Sequence, residues 1–169
     1  MPLILIGGGS RSGKSAYALE LARARGPRRA FIATAQAFDH EMEQRIARHR
    51  GERDPSFETI EEPAYVSAVI GDIGQRYDAI VVDCLTLWLS NLLLAGHADL
   101  DAAMADLITA AAGSPAHCIL VTNEVGCGIV PENALARRFR DLAGTLNQRC
   151  GRAAAEAYLL AFGFPMRLK

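Results

Sequence analysis

The sequence predicts an α/β fold, a mostly parallel sheet flanked by helices, laid out as a single domain over residues 1–169. Two observations carry the prediction. Short apolar runs alternate along the chain with longer stretches of helical periodicity, the order that repeated strand–helix units produce. The runs Ile80-Val81-Val82 and Ile119-Leu120-Val121 are apolar at consecutive positions, as in strands covered on both faces. No internal repeat, low-complexity linker or domain boundary interrupts a length that suits one core.

The strands are expected at 3–6, 30–34, 79–83, 118–122 and 157–162, with room for a short return strand near 166–168. Helical patterns fall at 14–25, 39–50, 64–77, 86–95, 100–112 and 132–155. The first helix is amphipathic through Ala18, Leu19, Leu21 and Ala22. In the second, Met42, Ile46 and His49 recur at helical spacing and share one face. The helix after Asp83 carries Leu85, Leu87, Trp88, Leu89, Leu92 and Leu93, apolar around much of its circumference. Such a helix needs more than one covered face. A subunit interface is the preferred cover, a wall for a large bound ligand the second, and a plain core position the third. Leu135, Phe139, Leu142 and Leu146 form another stripe, read as ordinary core.

Composition narrows the classes of function. Half of the residues are hydrophobic and the net charge is −1, with no basic tail or acidic block, so electrostatics argue for neither nucleic acid nor a membrane surface. No apolar run reaches membrane-spanning length, and the N-terminal apolar run is too short for a secretory leader. A cytoplasmic protein is expected. Cys84, Cys118, Cys127 and Cys150 show no metal-type spacing and read as reduced thiols. Lysine is used twice only, at Lys14 and Lys169.

Lys14 sits in the most informative segment. Gly8-Gly9-Ser10-Arg11-Ser12-Gly13-Lys14-Ser15 matches G-x-x-x-x-G-K-[ST], between the first strand and the first helix. Glycines let the backbone curl until consecutive N–H groups face phosphate oxygens, and the following helix adds the positive end of its dipole. Lys14 would reach the β- and γ-phosphates and the Ser15 hydroxyl would ligate Mg²⁺. An acid is then expected at the tip of a neighbouring strand, and Asp83 closes the run 79–82. Asp83 also suits an N-cap for the helix that follows, and the two roles are compatible. Together these features define a P-loop protein that binds a nucleoside triphosphate with Mg²⁺.

Three further segments are distinctive. The first contains Arg45-Ile46-x-x-His49-x-x-x-Arg53; the second runs from Asp83 to Leu93. The third spans Val121-Thr122-Asn123-Glu124-Val125-Gly126, continues through Gly128-Ile129-Val130-Pro131-Glu132-Asn133 to Arg138-Phe139-Arg140-Asp141, and reaches Asn147-Gln148. With the N-terminal loop, these resemble the bifunctional adenosylcobinamide kinase/adenosylcobinamide-phosphate guanylyltransferase family of cobalamin biosynthesis, over nearly the whole chain.

The resemblance implies two reactions. ATP or GTP phosphorylates the aminopropanol hydroxyl of adenosylcobinamide; GMP is then transferred from GTP to the new phosphate through a covalent histidine intermediate, giving adenosylcobinamide-GDP. It also implies a RecA-like P-loop fold assembled as a homotrimer. It selects His49 as the nucleophile, although Arg48 stands where some members carry a second histidine. Arg50, Gly51, Glu52 and Arg53 fall with it in the nucleotide-binding set, as do Thr34, Ala35 and Gln36 after the second strand. Glu61 matches a nucleotide-binding acid, with Glu62 the alternative.

On chemical grounds alone, an imidazole nucleophile must be neutral. Arg45, Arg48, Arg50 and Arg53 around His49 disfavour the imidazolium. His40, His97 and His117 have no matching motif and read as structural or exposed. Asn123 and Glu124 lie at the carboxyl end of a buried strand, where open α/β sheets bind ligands, and are candidate active-site residues. A monofunctional kinase, or a non-catalytic nucleotide-binding module, explains the loop and Asp83 but leaves His49 without a task.

Overall fold

The computed structural model describes residues 2–36 and 55–169. Seven strands form one sheet in the order β3-β2-β4-β5-β1-β6-β7. They are β1 (Ile4–Gly8), β2 (Arg29–Ala33), β3 (Phe57–Glu61), β4 (Ala79–Asp83), β5 (His117–Val121), β6 (Glu156–Ala161) and β7 (Phe164–Arg167). The first six pair in parallel; β7 returns antiparallel on β6, with Ala161 opposite Phe164. The described helices are α1 (Lys14–Arg23), α2 (Val66–Ile73), α3 (Leu85–Leu94), α4 (Leu100–Gly113) and α5 (Ala134–Ala153).

Both sheet faces are covered, which is why the central strands read as unbroken apolar runs. Ile4, Ile6, Phe31, Val81, Ile119 and Val121 point to the α1 face and pack on Ala18 and Ala22. Leu3, Leu5, Ile32, Ile80, Val82 and Leu120 point to the other, beneath Ile70 of α2, Trp88 of α3, Leu107 of α4 and Leu146 of α5.

The departures from expectation have local causes. Strand β3 was not anticipated: in Phe57-Glu58-Thr59-Ile60-Glu61 only Phe57 is buried, because the strand lies at the sheet edge and presents charge to solvent. Helix α2 is shorter than the expected 64–77: Gly74 still donates its amide to the Ile70 carbonyl, but Arg76 bonds the Ile73 carbonyl three residues back, a turn that ends the helix. The apolar circumference of α3 is met inside the chain: Leu85, Trp88, Leu89 and Leu92 are buried in the core, and Leu87 and Leu93 pack against it. Leu135 is 47% exposed, so the stripe on α5 enters the core only from Phe139 onward. The expected helix 39–50 lies outside the described residues.

Candidate active site

The segment joining β1 to α1 folds as a tight loop. Gly8 and Gly13 adopt φ of +150° and +97°, and Arg11 adopts +54°. A Cβ on Gly8 would lie 2.6 Å from the Leu160 carbonyl oxygen and 2.7 Å from Ser12 Oγ, so that position admits no side chain. Helix α1 begins on Gly13 with no capping side chain, which leaves its first-turn amides facing the loop. A helix start of this kind holds anions.

Lys14 is turned into the loop. Its Nζ donates to the Gly9 carbonyl at 2.6 Å and to Ser12 Oγ at 3.4 Å, and the residue is 7% exposed. Burial pushes the ammonium below its ordinary value, while the nearby Asp83 carboxylate and Cys84 pull it back up. Asp83 itself is half-buried at the end of β4. It is not the N-cap of α3: that position is Cys84, reached through a cis Asp83–Cys84 peptide bond. The strand carrying Asp83 is not a direct neighbour of β1 either, because β5 lies between them.

Among the described residues no group of three or more His, Cys, Asp or Glu side chains could hold a metal ion. The Ser15 hydroxyl and the Asp83 carboxylate nevertheless supply hard oxygen donors of the kind Mg²⁺ takes when phosphates complete its shell.

Beneath the strand ends lies a floor of polar side chains whose bonds are made within the protein. Thr34 is fully buried; its Oγ1 donates to the Cys84 carbonyl and accepts from the Cys84 amide, each at 2.8 Å. Its carbonyl accepts from Asn91 Nδ2 at 2.8 Å, and the same amide group donates to the Pro63 carbonyl at 3.0 Å. Thr86 Oγ1 accepts from the Asn123 backbone amide at 2.9 Å and from Asn123 Nδ2 at 3.1 Å. Thr122 Oγ1 donates to Asn147 Oδ1 at 2.7 Å. The Glu124 amide donates to the Gly8 carbonyl at 3.0 Å, tying the end of β5 to the phosphate loop.

The expected site residues thus divide. Gly8, Gly9, Ser10, Arg11, Ser12, Gly13, Lys14 and Ser15 form one cradle, with Asp83, Asn123 and Glu124 on strand ends to one side of it. Thr34 is a supporting residue under that surface, followed by the more open Ala35 and Gln36. One Glu124 carboxylate oxygen accepts from the Gly126 amide at 2.6 Å, so part of its capacity shapes its own loop. Glu62 Oε1 accepts from the amides of Ala64 and Tyr65, both at 2.8 Å, a local turn. Glu61 ends β3 opposite Ala33. His49, Arg50, Gly51, Glu52 and Arg53 lie outside the described residues. Thr86, Asn91 and Asn147 belong to the floor and fall in the distinctive segments, but none was given a site role from sequence; the available signal was a polar residue inside an otherwise apolar helix, as Asn91 is in α3.

A glycine-rich loop between the first strand and a helix, under a parallel sheet of this order, defines a P-loop nucleotide-binding fold. Solved structures agree: the RadB recombinase superposes with a TM-score of 0.55 at 18% identity, covering 94% of this chain and 73% of the recombinase. An ATPase of a bacterial type III secretion system gives 0.52 at 10% identity, covering 95% and 51%. The fold is RecA-like.

The sequence comparisons are more specific. The family model for cobinamide kinase / cobinamide phosphate guanyltransferase matches residues 4–168, and the chain belongs to that family. It is 43% identical to the bifunctional adenosylcobalamin biosynthesis protein CobP of Pseudomonas aeruginosa, over 98% of this chain and 96% of that one. It is 40% identical to the corresponding CobU protein of Salmonella typhimurium and 38% to that of Escherichia coli, each over 99% of both chains. No helix among the described residues is long and apolar enough to cross a membrane.

Proposed function

We propose that this chain, as a single catalytic domain, performs both reactions named by its family. The hydroxyl oxygen of the aminopropanol arm of adenosylcobinamide attacks the γ-phosphorus of ATP or GTP. An O–P bond forms as the hydroxyl releases its proton to solvent, the bond to the β-phosphate oxygen breaks, and the nucleoside diphosphate leaves with that electron pair. In the second reaction a neutral His49 nitrogen attacks the α-phosphorus of GTP, releasing pyrophosphate. A phosphate oxygen of adenosylcobinamide phosphate then displaces the imidazole, giving adenosylcobinamide-GDP.

The observation that carries this reading is Lys14, whose ammonium is held inside the cradle by the Gly9 carbonyl. There it neutralises phosphate charge as the terminal group is transferred. Ser15 and Asp83 would hold Mg²⁺, which when bound offsets charge on the β- and γ-oxygens. Asn123 and Glu124 orient the attacking hydroxyl. Glu61, with Ala35, Gln36 and the segment Arg50-Gly51-Glu52-Arg53, contacts the nucleotide; Glu62 is left to its own turn. A cytoplasmic homotrimer remains part of this proposal.

The test is incubation with GTP labelled at the α-phosphate. The parent chain is expected to retain labelled GMP through an acid-labile, alkali-stable bond, and His49→Asn is expected to lose that label while phosphorylating cobinamide. Label persisting in the variant would move the nucleophile elsewhere. Cobinamide phosphorylation without any protein-bound GMP would reduce the chain to a kinase.

A further inference from the structure

We infer that Phe162 is the platform on which the base of the nucleotide in the phosphate loop stacks; this rests on the nucleotide-binding reading proposed above. The hairpin joining β6 to β7 has a two-residue turn, Phe162-Gly163, closed by the pair Ala161 and Phe164. Both turn residues have positive φ, +56° and +84°. Two-residue hairpin turns of this kind favour asparagine, aspartate or glycine at the first position, where a bulky side chain is an outlier. Phenylalanine there is also 97% exposed, so burial offers no local compensation. A position that breaks a local rule without a local gain points to function.

Its placement supplies that function. A Cβ on Gly13 would lie 3.5 Å from Gly163 Cα and 3.6 Å from Leu160 Cδ2, so the turn abuts the start of α1. The sheet order puts Asp83 on one side of β1 and the β6–β7 turn on the other. With the β- and γ-phosphates directed toward Asp83, the nucleoside leaves the cradle toward Phe162. An aromatic face contributes area without reading the base edge, so it accepts adenine and guanine alike. That tolerance suits a site that takes either triphosphate.

The experiment measures affinity for ATP, GTP and inorganic tripolyphosphate, each with Mg²⁺, in the parent chain, Phe162→Asn and Phe162→Trp. Asparagine suits the turn, so the first variant is expected to fold at least as well as the parent by thermal melting. It is expected to lose about 10-fold in affinity for both nucleotides, the scale of one stacked base, with tripolyphosphate unchanged. Phe162→Trp is expected to retain parental affinity. Parental nucleotide affinity in Phe162→Asn, or an equal loss for tripolyphosphate, would overturn the assignment. A parent chain that binds none of the three would overturn the phosphate-loop reading itself, and this inference with it.

Discussion

Thr34 and Cys84 bond each other twice: the threonine hydroxyl donates to the cysteine carbonyl and accepts from the cysteine amide, each at 2.8 Å. The pair fixes the backbone directly after Asp83 against the end of β2. Thr34→Val keeps the shape and removes both bonds, leaving a buried amide and a buried carbonyl without that partner. A loss of about 1–3 kcal/mol is expected in urea unfolding. An unchanged midpoint would mean that the loop relaxes to find other partners.

Gly8 and Gly9 are adjacent but not equivalent. A methyl group on Gly8 would meet the Leu160 carbonyl and Ser12 Oγ at positive φ, whereas one on Gly9 would find nothing within 4 Å. Gly8→Ala is therefore expected to cost more than about 1 kcal/mol of stability, and Gly9→Ala much less. Thermal melting of the two variants side by side checks this, and equal losses would contradict the packing described.

Lys14 is expected to trade stability for binding. Its folded pKa lies below its ordinary value because burial penalises the ammonium. Below its lowered folded value the protein carries the full cost of that charge; the cost fades as pH rises through that value toward the ordinary lysine value of about 10.4. Lys14→Met should accordingly raise the urea midpoint at pH 7, with the gain shrinking toward pH 10 or so. The same variant should lose roughly 10- to 100-fold in triphosphate affinity, the scale of a charged hydrogen bond. Lower stability at pH 7 would contradict the assignment.

Asp78 gives the opposite sign. Its Oδ2 accepts from the Arg28 amide at 2.9 Å, and its Oδ1 accepts from the Arg28 guanidinium at 2.6 Å and 3.1 Å. The guanidinium bonds, ahead of the amide bond, hold the carboxyl below its ordinary range. The stabilisation is complete above an ordinary aspartate value of about 4 and is lost as pH falls through the lower folded value. Asp78→Asn should lower the urea midpoint at pH 7, and the difference should disappear in acid. A difference independent of pH would point to the turn rather than the charge.

What the sequence disclosed follows from how far apart the interacting residues are. The residues of the phosphate loop are contiguous, so their spacing is visible in one dimension, and Asp83 is marked by the apolar run it ends. Strand β3 was hidden because Glu58 and Glu61 give an edge strand the composition of a loop. The pairings of the polar floor were hidden for another reason: Thr34 meets Cys84 across 50 residues and Asn91 across 57, while Thr122 meets Asn147 across 25. Thr34 was placed in the nucleotide-binding set, but none of those side chains names its bonding partner when read alone. Only the order of the strands brings them under one surface.

That order also sets a width. Neighbouring strands in a sheet stand about 4.8 Å apart, so the single strand β5 between β1 and β4 holds their axes roughly 10 Å from each other. Direct pairing would halve the distance. Here the spacing between the strand that leads into the loop and the strand that ends in the aspartate is set by main-chain ladders, which side-chain replacement does not erase. Side-chain variation around the loop therefore leaves the spacing between it and the strand that carries Asp83 unchanged.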